Sequence, residues 1–195
     1  MIGGSSRGRR LPARLPAGVR PTSDRVRESI FDILGSMGGV EGLAVCDLFC
    51  GSGALGAEAL SRGAASVTFV DHDPAALEAV RANLAAAGLA DLPGQSATVV
   101  RAELPGWVSR AGRFDLALCD PPYAFGDWET LLGALSADVA VLESSAPVEV
   151  PGPWVVTRSR RYGGTLVTVA RATQKESPAA APAPGRDPAP AGTRP

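Results

Sequence analysis

Histidine, cysteine and lysine are scarce in this chain of 195 residues: there is one His, there are three Cys, and Lys175 is the only lysine. With His72 the sole histidine, no four-ligand zinc cluster can be assembled, and no metal is expected. Cys46, Cys50 and Cys119 form neither an even set nor a C-x-x-C pair, so they are expected to be reduced thiols. No run of about 18 apolar residues exists, which excludes a hydrophobic membrane helix. The N-terminal residues Met1 to Arg7 lack the apolar stretch of a signal peptide, and the expectation is a cytoplasmic protein. What is present is ordinary for a globular chain. Apolar residues make up 45%, and the length suits one domain with an appendage.

The net charge of −1 hides a segregation. Residues 1–30 hold seven Arg against Asp24 and Glu28, a net of +5. Residues 31–150 hold sixteen acids against five Arg, a net of −11. Residues 151–195 return to +5. A near-zero total therefore does not exclude a polyanionic partner, and the basic N-terminal segment favours one.

Hydrophobic patterning predicts the order of elements. Residues 3–21, rich in Gly, Arg and Pro, read as an irregular arm with a short strand at its start. Thr22, Ser23 and Asp24 are candidate caps for a helix whose apolar face is Val26, Ile30, Ile33 and Leu34. Short apolar runs over 43–49, 66–70, 97–101, 114–119 and 139–143 read as strands. Between them, 54–62, 74–87 and 128–137 read as helices. Two further strands, 154–159 and 165–170, flank Gly163-Gly164. Strands alternating with helices imply an α/β, Rossmann-like sheet, mostly parallel, with helices on both faces. The last two strands, joined by a tight link, are expected as an antiparallel edge hairpin. Residues 178–195 contain six Pro and six Ala and few large apolar groups, so that tail is expected to be disordered. The expected division is an arm over 1–22, a catalytic domain over 23–173 and a tail over 174–195.

Two motifs carry chemistry. Gly51-Ser52-Gly53-Ala54-Leu55-Gly56 follows a strand and opens a helix, and Asp71 ends the next strand twenty residues after Gly51. The glycines allow a tight turn and close approach to a ligand, and Asp71 suits ribose hydroxyls. A bare glycine-rich turn explains the glycines alone, but not the strand, helix and acid in register with them. Asp47 stands four residues before Gly51. A carboxylate aimed at the loop repels a pyrophosphate and suits a ligand bearing ammonium and sulfonium charges, as S-adenosylmethionine does.

The second motif is Asp120-Pro121-Pro122-Tyr123, at the end of the fourth strand. The prolines stiffen the backbone and remove two N–H donors. What remains is a rigid pair of acceptors, the Asp120 carboxylate and the Pro121 carbonyl, with the flat face of Tyr123 beside them. This arrangement suits the exocyclic amino group of a nucleobase stacked on Tyr123. Two acceptors on that nitrogen favour a tetrahedral geometry, with its lone pair directed at a methyl group, and Asp120 is placed to help the proton leave. The base must be reached outside its stack.

The D-x-F-x-G-x-G form, Asp47 to Gly53 with Phe49 inside it, resembles motif I of class I methyltransferases. Together with Arg20-Pro21-Thr22-Ser23-Asp24-Arg25-Val26-Arg27-Glu28 and Asp120-Pro121-Pro122-Tyr123, it resembles the bacterial small-subunit rRNA guanine-N2 methyltransferase family (the RsmD type). The likeness spans roughly residues 2–172. It implies S-adenosylmethionine as methyl donor, bound by Asp47, Phe49, Gly51, Ser52, Gly53 and Asp71. It also implies that Glu103, where the family usually has Asp, receives the adenine amino group and that the Leu104 N–H meets the ring. Asp120, Pro121 and Tyr123 are then the catalytic set, and one guanine of 16S rRNA in an assembling small subunit is the acceptor. Arg7, Arg9, Arg10, Arg20 and Arg25 are the expected RNA contacts of a monomeric enzyme, although Arg7, Arg9 and Arg10 also read as an ordinary solvated charge run. Three other functions remain open at this point: an amino-methyltransferase acting on adenine N6 or cytosine N4, a nucleotide-dependent oxidoreductase, and a non-catalytic RNA-binding module.

Of the remaining conspicuous residues, Cys46 and Cys119 are expected in the core and His72 at the surface. Cys50 is expected in an accessible donor loop. Trp107 and Trp154 are expected against the sheet. Phe125 and Trp128 fit either a base pocket or ordinary packing.

Overall fold

The predicted alternation of short apolar runs and helices folds into a single mixed sheet. In a computed structural model, which describes residues 1–12 and 23–173, the elements run α1 (Asp24–Ser36), β1 (Ala44–Leu48), α2 (Ala54–Ser61), β2 (Ser66–Asp71), α3 (Pro74–Ala87), β3 (Ser96–Arg101), β4 (Phe114–Cys119), α4 (Trp128–Ala134), β5 (Ala137–Ser144), β6 (Trp154–Tyr162) and β7 (Thr165–Ala172). The strand order is β3-β2-β1-β4-β5-β7-β6. The first five strands are parallel, and β7 pairs antiparallel with both β5 and β6. This is the Rossmann-like class I methyltransferase arrangement expected from the sequence. The order reverses between β1 and β4, and open α/β sheets bind ligands in the crevice at such a point.

The local signals act as predicted. Ser23 caps α1, its side chain accepting from the Val26 N–H. Asp73 caps α3, Pro74 fills its first turn, and Gly88 ends it in the left-handed region at φ 66°. Val45, Val67, Leu116 and Leu118 bury one sheet face under α1, α2 and α3. Cys46, Leu48, Ala117 and Cys119 bury the other against Leu131 and Leu132 of α4. Coverage of both faces explains why these strands read as continuous apolar runs. Trp154 packs in the second cluster and donates its indole N–H to the Leu132 carbonyl at 2.9 Å. Trp107 packs there too, as expected. Among the described residues, no helix is long and apolar enough to cross a membrane.

Two differences from expectation are instructive. The helix predicted to reach Ala137 stops at Ala134, and Ala137 instead begins β5. Ala137 pairs with Phe114 in the sheet, so tertiary pairing overrides its local helix preference. No strand forms at the start of the chain, where residues 3–8 make turns. Buried Glu58 of α2 explains this, because its carboxylate accepts from the Ile2 N–H at 2.9 Å and the Gly3 N–H at 2.7 Å. Those N–H groups are therefore satisfied by a side chain rather than by a neighbouring strand. The expected tail over 174–195 and the part of the arm over 13–22 lie outside the described residues.

Candidate active site

The loop after β1 is built around three carboxylates at the carboxyl edge of the sheet. Asp47, in β1, is buried, and its Oδ2 accepts from the Gly56 N–H at 2.8 Å. Gly56 must be glycine here, because an added Cβ would lie 2.3 Å from the Phe69 ring and 2.9 Å from that carboxylate oxygen. Gly53 opens α2 at φ 75° and Gly51 lies at φ 53°, backbone conformations that favour glycine. Phe49 also adopts a positive φ, 58°, which is uncommon for a side chain of its size. From α3, Asn83 donates to the Ser52 carbonyl at 2.9 Å and steadies the loop.

Asp71 does work that the sequence did not reveal. Its Oδ2 accepts from the Gly51 N–H at 2.9 Å, and its Oδ1 accepts from the Asp73 N–H at 3.0 Å. The acid expected to meet a ribose is thus also the strut that fixes the glycine loop. Exposed His72 reaches the same carboxylate, 3.3 Å away.

Asp120 follows β4 and is joined to β1 by a backbone bond from its N–H to the Leu48 carbonyl at 3.4 Å. The two motifs are therefore neighbours across the reversal in strand order. Burial pushes the Asp47 carboxyl well above the usual carboxylate range. The Gly56 N–H opposes that rise, and the charges of Asp120 and Asp71 reinforce it. A crevice that gathers these like charges is complementary to a cationic ligand. Cys50, expected to be accessible, is instead buried. Burial first, then Asp47 and Asp71, push its thiol far up, so it is no nucleophile. Cys46 and Cys119 are buried core residues, as expected, with thiols raised mainly by burial.

Beyond Asp120, the chain turns sharply, with the Phe125 N–H donating to the Pro122 carbonyl at 2.8 Å. Tyr123 projects from this turn and is half exposed. Its hydroxyl lies 3.1 Å from the Thr165 hydroxyl at the start of β7. A cleft of about 190 Å³ opens beside it, lined by Pro121, Pro122, Tyr123, Phe125, Trp128, Glu143 and the 144–147 segment. The Phe49 and Phe125 rings meet edge to face at 5.0 Å, and Phe125 meets Trp128 at 5.2 Å. Phe125 and Trp128 thus pack against each other and also line this cleft. Through Phe49 they tie the glycine loop to the cleft.

The other expected site residues are more scattered. Glu103 is exposed just beyond β3, and Leu104 packs against the second core cluster. The Ala102 N–H bonds to the Asp71 carbonyl at 3.0 Å, which holds this segment at the same edge. Arg25 lies exposed in the first turn of α1. Arg20 lies outside the described residues.

Arg7, Arg9 and Arg10 are not brought to the site. The turn that carries them is fastened to the ends of α2 and α3. The Ser5 N–H donates to the Ser61 carbonyl at 2.6 Å, and the Ser6 hydroxyl donates to the Ala87 carbonyl at 2.8 Å. Helices between parallel strands run back to the amino edge, opposite Asp120. The Arg9 guanidinium lies beside Gly88, at the C-terminal end of α3, where a basic group complements the helix dipole.

Comparisons with known proteins agree with this geometry. The model of the family described as Conserved hypothetical protein 95 matches residues 1–171. Ribosomal RNA small subunit methyltransferase D of Escherichia coli K12 is 35% identical over 174 residues, covering 84% of each chain. The solved structure of yhhF from Escherichia coli superposes with a TM-score of 0.74 at 32% identity, covering 88% of this chain and 96% of that one. The magnesium protoporphyrin IX methyltransferase of Synechocystis PCC 6803, solved with bound SAM, shares the fold at TM-score 0.59 and 17% identity, over 76% of this chain and 79% of that one. The chain belongs to the Conserved hypothetical protein 95 family, and its curated relatives in that family include ribosomal RNA small subunit methyltransferase D.

Proposed function

We propose that this protein transfers a methyl group from S-adenosylmethionine to the exocyclic N2 amino group of a guanine in 16S rRNA. The observation that carries the reading is the junction of β1 and β4, where the Asp47 glycine loop and Asp120-Pro121-Pro122-Tyr123 meet beside a cleft of base-lining character. Relatives over most of the chain are named as rRNA methyltransferases. The chain is read as a cytoplasmic monomer acting on an assembling small subunit.

The donor supplies an electrophilic methyl group on a positively charged sulfur. Asp47 and Asp71 give the loop its negative field, and Gly51, Ser52 and Gly53 let the backbone approach. Phe49, Glu103 and Leu104 complete the donor side. On the acceptor side, the Asp120 carboxylate and the Pro121 carbonyl each accept one N–H of the guanine amino group. Those two bonds turn the nitrogen lone pair toward the methyl group, and Asp120 eases loss of the proton as the C–N bond forms and the methyl–sulfur bond breaks, its electron pair staying on a now neutral sulfur. Tyr123 stacks on the base, and its hydroxyl tether to Thr165 holds the ring upright.

Mass spectrometry of nucleosides from 16S rRNA tests the reading. A deletion strain is expected to lack a single N2-methylguanosine, and the wild-type gene is expected to restore it. Unchanged rRNA together with altered N6-methyladenine or N4-methylcytosine in DNA would overturn the reading.

A further inference from the structure

Arginines of the closing hairpin reach the catalytic edge. β6 is the outermost strand, and it is exposed from Val155 to Arg161. From Trp154 to Ala172 there are four Arg and no acid, against a core segment of strongly negative charge. Among the described residues, the ion pairs involve none of these four. Register sets Arg158 and Arg160 opposite Val169 and Val167 on one sheet face, and Arg161 opposite Leu166 on the other. The positive charge therefore straddles the strand edge.

The tip of this hairpin lies at the catalytic edge. Because β7 starts where the parallel β5 ends, Leu166 pairs with Ser144. Arg161 Nη1 donates to the Ser145 carbonyl at 3.2 Å, and Ser145 lines the cleft. Thr165 meets the Tyr123 hydroxyl. The Arg160 guanidinium sits 5.5 Å above the Tyr162 ring, which limits its wandering.

We propose that the β6–β7 hairpin is the surface on which RNA phosphates dock, with Arg158, Arg160 and Arg161 as the contacts that present a flipped base to Tyr123. The proposal rests on the RNA-methylating reading above. Charge complementarity selects RNA as the occupant, since phosphates are read by exposed guanidinium groups with N–H donors to spare. The plainer role for arginines on an outer strand is to discourage edge-to-edge pairing. That role predicts self-association when they are removed and no change in RNA affinity.

The test uses the full chain with Arg158→Gln, Arg160→Gln and Arg161→Gln combined. Affinity is measured across a salt series for protein-free 16S rRNA and for small ribosomal subunits from a deletion strain. The log–log salt slope is expected to become shallower by about 2 to 3, with weaker RNA binding and unchanged donor affinity. The matching triple Arg→Lys variant is expected to keep most of the slope, which separates charge from shape. The hairpin proposal fails if the Gln variant keeps wild-type RNA affinity and slope, whether or not it self-associates. It also fails if affinity falls only on the particle with the slope intact, since a protein contact would then be the occupant. Wild-type protein that binds neither probe overturns the RNA reading itself, and this surface with it.

Discussion

The two edges of the sheet use charge in opposite ways. At the amino edge, charges are matched. Fully buried Glu58 accepts from Ile2, Gly3 and Arg62, and Arg27 lies 3.9 Å away. The turn that carries Arg7, Arg9 and Arg10 is fastened to the C-terminal ends of α2 and α3. At the carboxyl edge, like charges are gathered, and Asp120 and Asp71 both raise the Asp47 carboxyl. Matched charge holds a fold together, whereas gathered like charge costs stability unless a ligand compensates it. The contrast marks the carboxyl edge as the working one.

Substitutions at four positions probe that contrast, from the largest expected effect to the smallest. Asp120→Ala is expected to lower methyl transfer by about 10²–10⁴-fold while donor affinity stays within about threefold, read by labelled methyl incorporation and calorimetry. Glu58→Ala acts at the other edge. It leaves the Ile2 and Gly3 N–H groups and the Arg62 guanidinium without their acceptor, while Arg27 keeps Asp24 at 2.9 Å, and about 3 kcal/mol of stability should be lost in denaturant unfolding. The same variant should keep its activity per folded molecule, which would separate the structural edge from the catalytic one.

Tyr123→Ala removes the stacking face and is expected to weaken RNA-dependent kcat/KM by about 1–3 kcal/mol. Tyr123→Phe, which loses only the Thr165 tether, should fall well short of that. Asp47→Asn is expected to weaken donor binding by about tenfold, because in the proposed reading that acid compensates a positively charged donor. It should also stabilise the protein without donor at neutral pH. The folded carboxyl titrates above its unfolded value, so ionised Asp47 costs stability, and that cost accumulates as pH rises from the unfolded pKa, about 3.9, toward the folded one. The gain in Tm from Asn should therefore vanish below about pH 4. A gain that persists there would show that the raised carboxyl is not its source.

Much of this organisation was legible in the sequence, for identifiable reasons. Strand–loop–helix spacing exposed the glycine loop, and Asp-Pro-Pro-Tyr announced itself because two prolines after a strand leave so few conformations. Long-range partners were not legible. Nothing in the spacing says that Glu58 reaches back to Ile2, that Asp71 braces Gly51, or that Thr165 meets Tyr123, because each pair is made by the sheet rather than by neighbours in sequence. Cys50 looked accessible because loops usually are, yet its side chain packs into the first core cluster. The placement of the arm was not legible either. A run of positive charge shows that an anion or a helix end is near, but only the fold says which.

The most direct measurement uses purified protein, labelled S-adenosylmethionine and small ribosomal subunits from a deletion strain, followed by nucleoside mass spectrometry. The account predicts one N2-methylguanosine per 16S rRNA with the wild-type protein and none with Asp120→Ala. Methyl label in adenine or cytosine, or equal incorporation by the two proteins, would contradict it.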